Sequence, residues 1–243
     1  MKILLVQPPK AATVIGGEDL HIYEPLDLEY LAAGVDPHHE VKILDLRFEK
    51  DMTAVLEAFK PQVVGITAYT THVNRAKKLF EEIKAWNPET LTVIGGHHAT
   101  ASPGDFQVEA IDAIVVGEGV FAFGQVVREF EKGAFPLQAP GQGKGAKIVR
   151  AELVEDLDSY PFPRRDLTQP HRAHYHSEWM KPLATMVTSR GCPFRCNFCA
   201  LWKLTGGKYL KRKPENIVKE LKEIEEKYIF FADAESMVDE ERM

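Results

Sequence analysis

The sequence predicts an α/β protein: a doubly wound parallel sheet over residues 1–132, a linker over 133–182, and the opening strand–helix units of a second α/β region over 183–243. Three observations predict it. Five short runs of aliphatic and β-branched residues recur through the first half, each an unbroken apolar stretch, as expected of strands covered on both faces. Segments of helical period separate them, which is the alternation that builds a parallel sheet. Beyond residue 132 the composition turns to glycine and proline before a further apolar run enters a dense cluster of cysteines.

The predicted strands of the first region are "KILLVQ" (2–7), "VKILDL" (41–46), "QVVGIT" (62–67), "LTVIGG" (91–96) and "AIVVGEG" (113–119). Met52, Val55, Leu56 and Phe59 fall at i, i+3, i+4 and i+7, and Val73, Ala76, Leu79, Phe80 and Ile83 repeat the pattern, so both segments read as amphipathic helices. In a doubly wound sheet the ligand crevice lies beyond the carboxyl ends of the strands. The candidate binding residues therefore follow each strand: Gln7-Pro8-Pro9, Thr67-Ala68-Tyr69-Thr70, Gly95-Gly96-His97 and Gly117-Glu118-Gly119. Proline fixes the backbone there, and glycine lets it approach a ligand. Glycine at strand ends is also ordinary chain punctuation, so these turns alone identify no ligand.

Residues 133–182 are rich in glycine and proline and read as a linker with one small hairpin; within it "VEDLDSYPFPRRDL" (154–167) reads as an extended connector. "LATMVTSR" (183–190) is a buried strand that runs into the cysteines. "KPENIVKELKEIEEKY" (213–228) is a helix with Pro214 in its first turn and Ile217, Val218, Leu221 and Ile224 inward, and "IFFADAE" (229–235) is a further strand.

Composition narrows the function. The net charge of −6 offers no basic face for nucleic acid. No apolar stretch is long enough to span a membrane, and Gln7-Pro8-Pro9 ends the opening run too early for a secretory signal. All three cysteines, Cys192, Cys196 and Cys199, lie in "RGCPFRCNFCA" with the spacing C-x3-C-x2-C. An odd, clustered set is a poor disulfide framework, so the thiols are expected to be reduced, in the cytoplasm, and engaged in metal binding or catalysis.

Other motifs are weaker. Gly117-Glu118-Gly119 with Gly124 has the wrong spacing and the wrong strand for dinucleotide binding, and "GQGKGAK" (141–147) lacks the hydroxyl residue and helix of a phosphate loop. His171, His174 and His176 sit in a polar linker and read as surface histidines. The cysteines differ. Thiolates select zinc, copper or iron–sulfur clusters. A closed zinc site needs four protein ligands and would have to recruit a distant histidine. Three thiolates on a four-iron cluster leave one iron open to a non-protein ligand. Gly191 and Pro193 suit a tight turn around a cluster, and Phe194 and Phe198 are placed to shield it.

Cys192-x3-Cys196-x-Phe198-Cys199 after a strand resembles the signature of the radical S-adenosylmethionine enzymes. The resemblance implies a 4Fe-4S cluster on Cys192, Cys196 and Cys199, with S-adenosylmethionine on the fourth iron and Phe198 near its adenine. The next strand of that core ends in small or acidic residues that hold the methionyl amine; here Asp233 and Glu235 match, and Ala234 replaces an acidic residue often present. "ILLVQPP", "EPLDLEYLAAG", "VKILDLR", "VIGGHHAT" and "AIVVGEG", followed by "LDSYPFPRRDL", resemble the flavodoxin- or Rossmann-like cobalamin-binding domain and connector that precede the radical core in one branch of the family. This resemblance implies cobalamin over the crevice, near Gln7, Pro8, Thr67, Tyr69, Thr70, Gly95, Gly96, His97, Gly117 and Glu118. The Asp-x-His-x-x-Gly signature of other cobalamin enzymes is absent: Asp36-Pro37-His38 continues to Val41 and precedes the second strand. No histidine ligand to cobalt is expected.

The family's core is a partial barrel of six strand–helix units, and few residues follow Cys199, so the chain is expected to be a truncated piece of that barrel, a weak cofactor binder with an exposed last strand. The implied activity of the intact protein is methylation of an unactivated carbon on a small-molecule or lipid-like substrate, supplied by a reducing electron donor. "CALWKLTGGKYLKRKPENIVKEL" has some likeness to hopanoid C-3 methylases. A radical cyclase or oxidase of the porphyrin-cyclase type, and a non-catalytic cobalamin- or zinc-binding module, remain as alternatives.

Overall fold

The computed structural model describes residues 1–9, 20–137, 145–236 and 238–239. The chain divides into two compact units, one of residues 1–15 and 27–152 and the other of residues 16–26 and 153–243. Among the described residues no helix is long and apolar enough to cross a membrane.

The first unit is a six-stranded sheet. Its strands are β1 (Lys2–Gln7), β2 (Glu40–Asp45), β3 (Val63–Thr67), β4 (Leu91–Gly95), β5 (Ala113–Val116) and β6 (Lys147–Arg150), in the order β2-β1-β3-β4-β5-β6 with every pair parallel. The reversal of direction beside β1 is the doubly wound topology, and it opens the crevice between the carboxyl ends of β1 and β3. The five runs read from the sequence coincide with the first five strands within a residue or a few. Leu4, Val6, Val64, Ile66, Ile94 and Ile114 are buried, together with Leu56, Leu79, Phe80 and Ile83 from the covering helices. Each buried side chain of this size contributes roughly 1.5–3 kcal/mol.

The helices of this unit are α1 (Leu26–Ala33), α2 (Met52–Phe59), α3 (Val73–Trp86), α4 (His97–Ala101) and α5 (Gly119–Glu131). Asp51 caps α2 by accepting a bond from the Ala54 amide at 2.9 Å. α5 approaches the turn after α1 so closely that a Cβ on Gly124 would lie 2.6 Å from the Gly34 carbonyl oxygen. That contact is why position 124 is glycine, and it is a packing role. The expected hairpin in the linker is instead the single strand β6, added parallel to β5 at the sheet's edge. Residues 141–144 of "GQGKGAK" lie outside the described residues.

The second unit is built on β7 (Leu183–Met186), which pairs in parallel with β10 (Tyr228–Phe231). Between them come β8 (Ser189–Arg190) and β9 (Leu210–Lys211), an antiparallel pair, and the helices α6 (Leu201–Leu204) and α7 (Pro214–Leu221). A short ladder of His21 and Ile22 with Ser177 and His176 completes it. This is a strand–loop–helix–strand unit of a parallel α/β region, as the sequence predicts. The last helix is shorter than its predicted span, ending at Leu221, and Val218 on it is exposed rather than inward. The charged run "KEIEEK" that follows supplies few apolar side chains to hold further turns against a core.

Candidate functional site

In the first unit the four predicted turns do lie at the carboxyl ends of β1, β3, β4 and β5. Gln7, Pro8 and Thr67 are buried in the floor, while Tyr69, Thr70, His97 and Gly117 are exposed, and Gly95, Gly96 and Glu118 are half-buried. Gly96 takes φ +96°, and a Cβ there would meet Thr67 Oγ1 at 2.8 Å and the Ala68 nitrogen at 2.9 Å. Only glycine fits so close to a neighbouring turn. Gly117, at φ +95°, donates its amide to Thr100 Oγ1 at 3.0 Å, and that hydroxyl donates to the Gly96 carbonyl at 3.0 Å. The glycine turns after β4 and β5 are thereby tied through one threonine.

Side chains around these turns are fixed by contacts that the sequence did not reveal. Thr67 donates its hydroxyl to Asp27 Oδ2 at 2.6 Å, which anchors the start of α1 to the floor. Tyr69 and His97 stack with ring centroids 5.0 Å apart and planes within 14°. His98 is held at both ring nitrogens, by Thr70 Oγ1 at 3.1 Å and Asp105 Oδ2 at 2.8 Å. The outcome is a stacked pair of exposed rings beside the glycine turns.

In the second unit the cysteines occupy the loop between β8 and α6. Gly191 adopts φ +82°, and a Cβ on it would fall 2.0 Å from the Lys208 carbonyl oxygen, so the chain can turn into the loop only with glycine. The Cys199 amide donates to the Cys196 carbonyl at 3.2 Å, and the Trp202 indole donates to the same oxygen at 3.1 Å. All three thiols are free; Cys196 is exposed, and Cys192 and Cys199 are half-buried. Among the described residues the three sulfurs do not gather within 4.8 Å of one another. Phe198 is 89% exposed and Phe194 is exposed too, so neither shields the thiols in this arrangement.

Asp233, just beyond β10, accepts from the Thr188 amide at 2.6 Å, the Ser189 amide at 3.0 Å and the Thr188 hydroxyl. The carbonyl of Glu235 accepts from Ser189 Oγ at 3.2 Å. These bonds pin the carboxyl end of β10 to the segment that launches the cysteine loop.

Nothing in the residue pattern signals the charged network beneath that segment. β7 pairs with β10 on one side, and side chains satisfy its other edge: Glu24 accepts from the Thr185 amide and, at 2.9 Å, from its hydroxyl. Arg165 donates to the Thr185 carbonyl at 2.6 Å and Arg212 to the Val187 carbonyl at 2.9 Å. Glu220, 1% exposed, bridges those two guanidinium groups at 2.9 and 2.5 Å. Arg172 links Glu24, at 2.7 Å, to Glu226. Burial pushes the Glu226 carboxyl up, but the Arg172 hydrogen bond and charge outweigh it and leave it below the usual range. Arg165 of the predicted bland connector is thus a structural residue, and Tyr160 and Phe162 beside it carry Arg190 and Arg212 over their rings at 5.0 and 5.7 Å.

Comparison with known proteins matches the B12 binding domain to residues 12–127 and the Radical SAM superfamily to residues 186–242. The chain is 33% identical over 235 residues to an uncharacterized methyltransferase of Pyrococcus horikoshii, covering 91% of this chain and 50% of the relative. It is 29% identical to a hopanoid C-3 methylase of Methylococcus capsulatus, over 86% of this chain and 42% of that protein. With an anaerobic magnesium-protoporphyrin IX monomethyl ester cyclase of Rubrivivax gelatinosus it shares 30% identity, over 71% of this chain and 33% of the cyclase. The chain spans half or less of the length of these relatives. Its parallel sheet with glycine turns and its three-cysteine loop after a strand coincide with the two matched regions, and the chain belongs to the cobalamin-binding branch of the radical S-adenosylmethionine enzymes.

Proposed function

We propose that this chain serves a radical S-adenosylmethionine methyltransferase that acts on an unactivated carbon of a small-molecule or lipid-like substrate. The observation that carries the proposal is the cysteine loop: three free thiols spread along a turn that Gly191 alone permits, with no fourth cysteine anywhere in the sequence. Cys192, Cys196 and Cys199 would each ligate one iron of a 4Fe-4S cluster, leaving one iron for the amino and carboxylate groups of S-adenosylmethionine. When bound, the cluster and its sulfonium ligand supply a deoxyadenosyl radical, and cobalamin supplies a transferable methyl group.

The chain's own residues bind and orient. Asp233 fixes the start of the loop through Thr188 and Ser189, and with Glu235 it lies at the strand end where the methionyl amine would be received. Phe198, exposed beside Cys199, is free to close over an adenine. In the first unit the exposed Tyr69–His97 stack, Thr70, Gly95, Gly96, Gly117 and Glu118 would receive the flat corrin, over a floor of Gln7, Pro8 and Thr67. No imidazole need bind cobalt there. The cluster requires a reducing compartment, the cytoplasm, and an electron donor.

The names of several relatives support methylation, and the 30% identity to a cyclase favours radical ring closure as the second reading. Anaerobic reconstitution with iron and sulfide tests the core of the proposal. The product should be brown and carry a full four-iron cluster that Cys196→Ala abolishes. A colourless protein with one zinc per chain, or iron content indifferent to Cys196, overturns it.

A further inference from the structure

We infer that His38, His39 and Glu131 form a zinc site at the amino end of the sheet in the first unit. His38 and His39 close the turn that leads into β2, and Glu131 is the last residue of α5, which starts beyond β5 and runs back toward the strands' amino ends. The site is therefore at the far end of the strands from the crevice, and it stands independently of the proposed function.

The three side chains offer two imidazole nitrogens and a carboxylate, all within 4.8 Å of one another. His38 Nε2 is 2.8 Å from Glu131 Oε1, and His39 Nε2 is 3.9 Å from Glu131 Oε2. Zinc bonds of about 2.0–2.2 Å in a tetrahedron set donor atoms roughly 3.3–3.6 Å apart, and a small turn of the Glu131 carboxylate would let one of its oxygens serve both histidines. Small side-chain adjustments would bring both edges to that length.

A second observation points to a ligand. The His39 side chain is fully buried, and its Nε2 has no hydrogen-bond partner although it faces Glu131. A buried polar atom without a partner is costly, and a metal bond at that atom would recover the cost. The other nitrogen of each ring has a neighbour: His38 Nδ1 lies 2.7 Å from Asp36 Oδ1, and His39 Nδ1 lies 3.1 Å from the Met1 amino group, which would hand a proton to Nδ1 as Nε2 loses its own to solvent and takes the metal. A carboxylate on the far nitrogen of a ligating imidazole is the arrangement that orients metal-bound histidines. Asp36 and His38 are exposed, so water would complete the coordination. Two imidazoles and one carboxylate suit zinc and neighbouring divalent transition ions, and are poor for magnesium or calcium. On binding, each coordinating nitrogen donates a lone pair and any proton it carries passes to solvent.

The test uses the full chain with Cys192, Cys196 and Cys199 replaced by serine, so that thiolates do not compete. Titration with zinc chloride against a chromophoric chelator should give one ion per chain, and zinc should raise the unfolding temperature. Glu131→Gln, an exposed and nearly isosteric change, should weaken binding at least tenfold and remove the thermal shift. Asp36→Asn, which touches no proposed ligand atom, should weaken it by about tenfold. Cobalt(II) at the same site should absorb in the visible without a thiolate band. Zinc binding unaffected by both Glu131→Gln and His38→Ala, or absent below about 100 μM zinc, overturns the inference.

Discussion

The two units of this chain bury different things. In the first, one face of the six-stranded sheet carries a continuous apolar cluster that gathers Leu79, Phe80 and Ile83 of α3 with Leu4, Ile66 and Ile94. In the second, the strand that launches the cysteine loop is held along one edge by Glu24, Arg165, Arg172, Arg212 and Glu220. Six strands close against each other and leave little backbone for side chains to satisfy. Two strands cannot, so charged side chains take the place of a neighbouring strand. The difference teaches that the strand before the cysteine loop is held by charged side chains and the sheet beneath the crevice by apolar packing, and each should fail in its own way.

The largest effects come from cutting each support at its centre. Glu220→Ala leaves two buried guanidinium groups without their shared counter-charge and should cost about 3–5 kcal/mol. Phe80→Ala empties part of the apolar core at a similar cost, about 3–5 kcal/mol. Hydrogen exchange should separate them, with Glu220→Ala speeding exchange in 183–231 and Phe80→Ala in the sheet strands. Equal effects of both variants on both regions would dissolve the distinction.

Backbone crowding gives the next effect. Gly191→Ala, at positive φ and against the Lys208 carbonyl, should destabilise the loop by about 2–3 kcal/mol and lower iron incorporation. Gly124→Ala in α5 should cost about 1–3 kcal/mol without changing iron content. Iron analysis alongside denaturant titration checks both, and a Gly191→Ala protein that loads iron normally would remove the loop's dependence on that turn.

The smallest effect is in acid. Because Arg172 holds Glu226 below the usual carboxylate range, its contribution to stability is complete above the ordinary glutamate pKa and is lost as pH falls through the lower folded value. The second unit should loosen across that window, and Glu226→Gln should flatten the dependence. An unchanged acid profile in Glu226→Gln would show the pair with Arg172 to be idle.

The same contrast governs what the sequence made legible. Apolar runs reveal strands because burial on both faces imposes them, and the five runs found their strands. β6 was missed because "KIVR" is short, largely exposed and embedded in glycine-rich sequence, so only pairing with β5 makes it a strand. The cysteine loop stood out as a candidate site because residue type and spacing are properties of the sequence itself. Glu24 and Arg172 were not, since 148 positions separate them and a charged residue in sequence looks like solvated surface until the fold buries it. The Tyr69–His97 stack and the His39 pocket likewise arise from turns that meet only in three dimensions.

The account rests on three thiols leaving one iron without a protein ligand. Its most direct test is the electron paramagnetic resonance spectrum of the anaerobically reconstituted, reduced chain before and after addition of S-adenosylmethionine. A four-iron signal that changes on addition, and that is missing in Cys196→Ala, is the result expected. A cluster spectrum indifferent to S-adenosylmethionine, or no cluster at all, would contradict it.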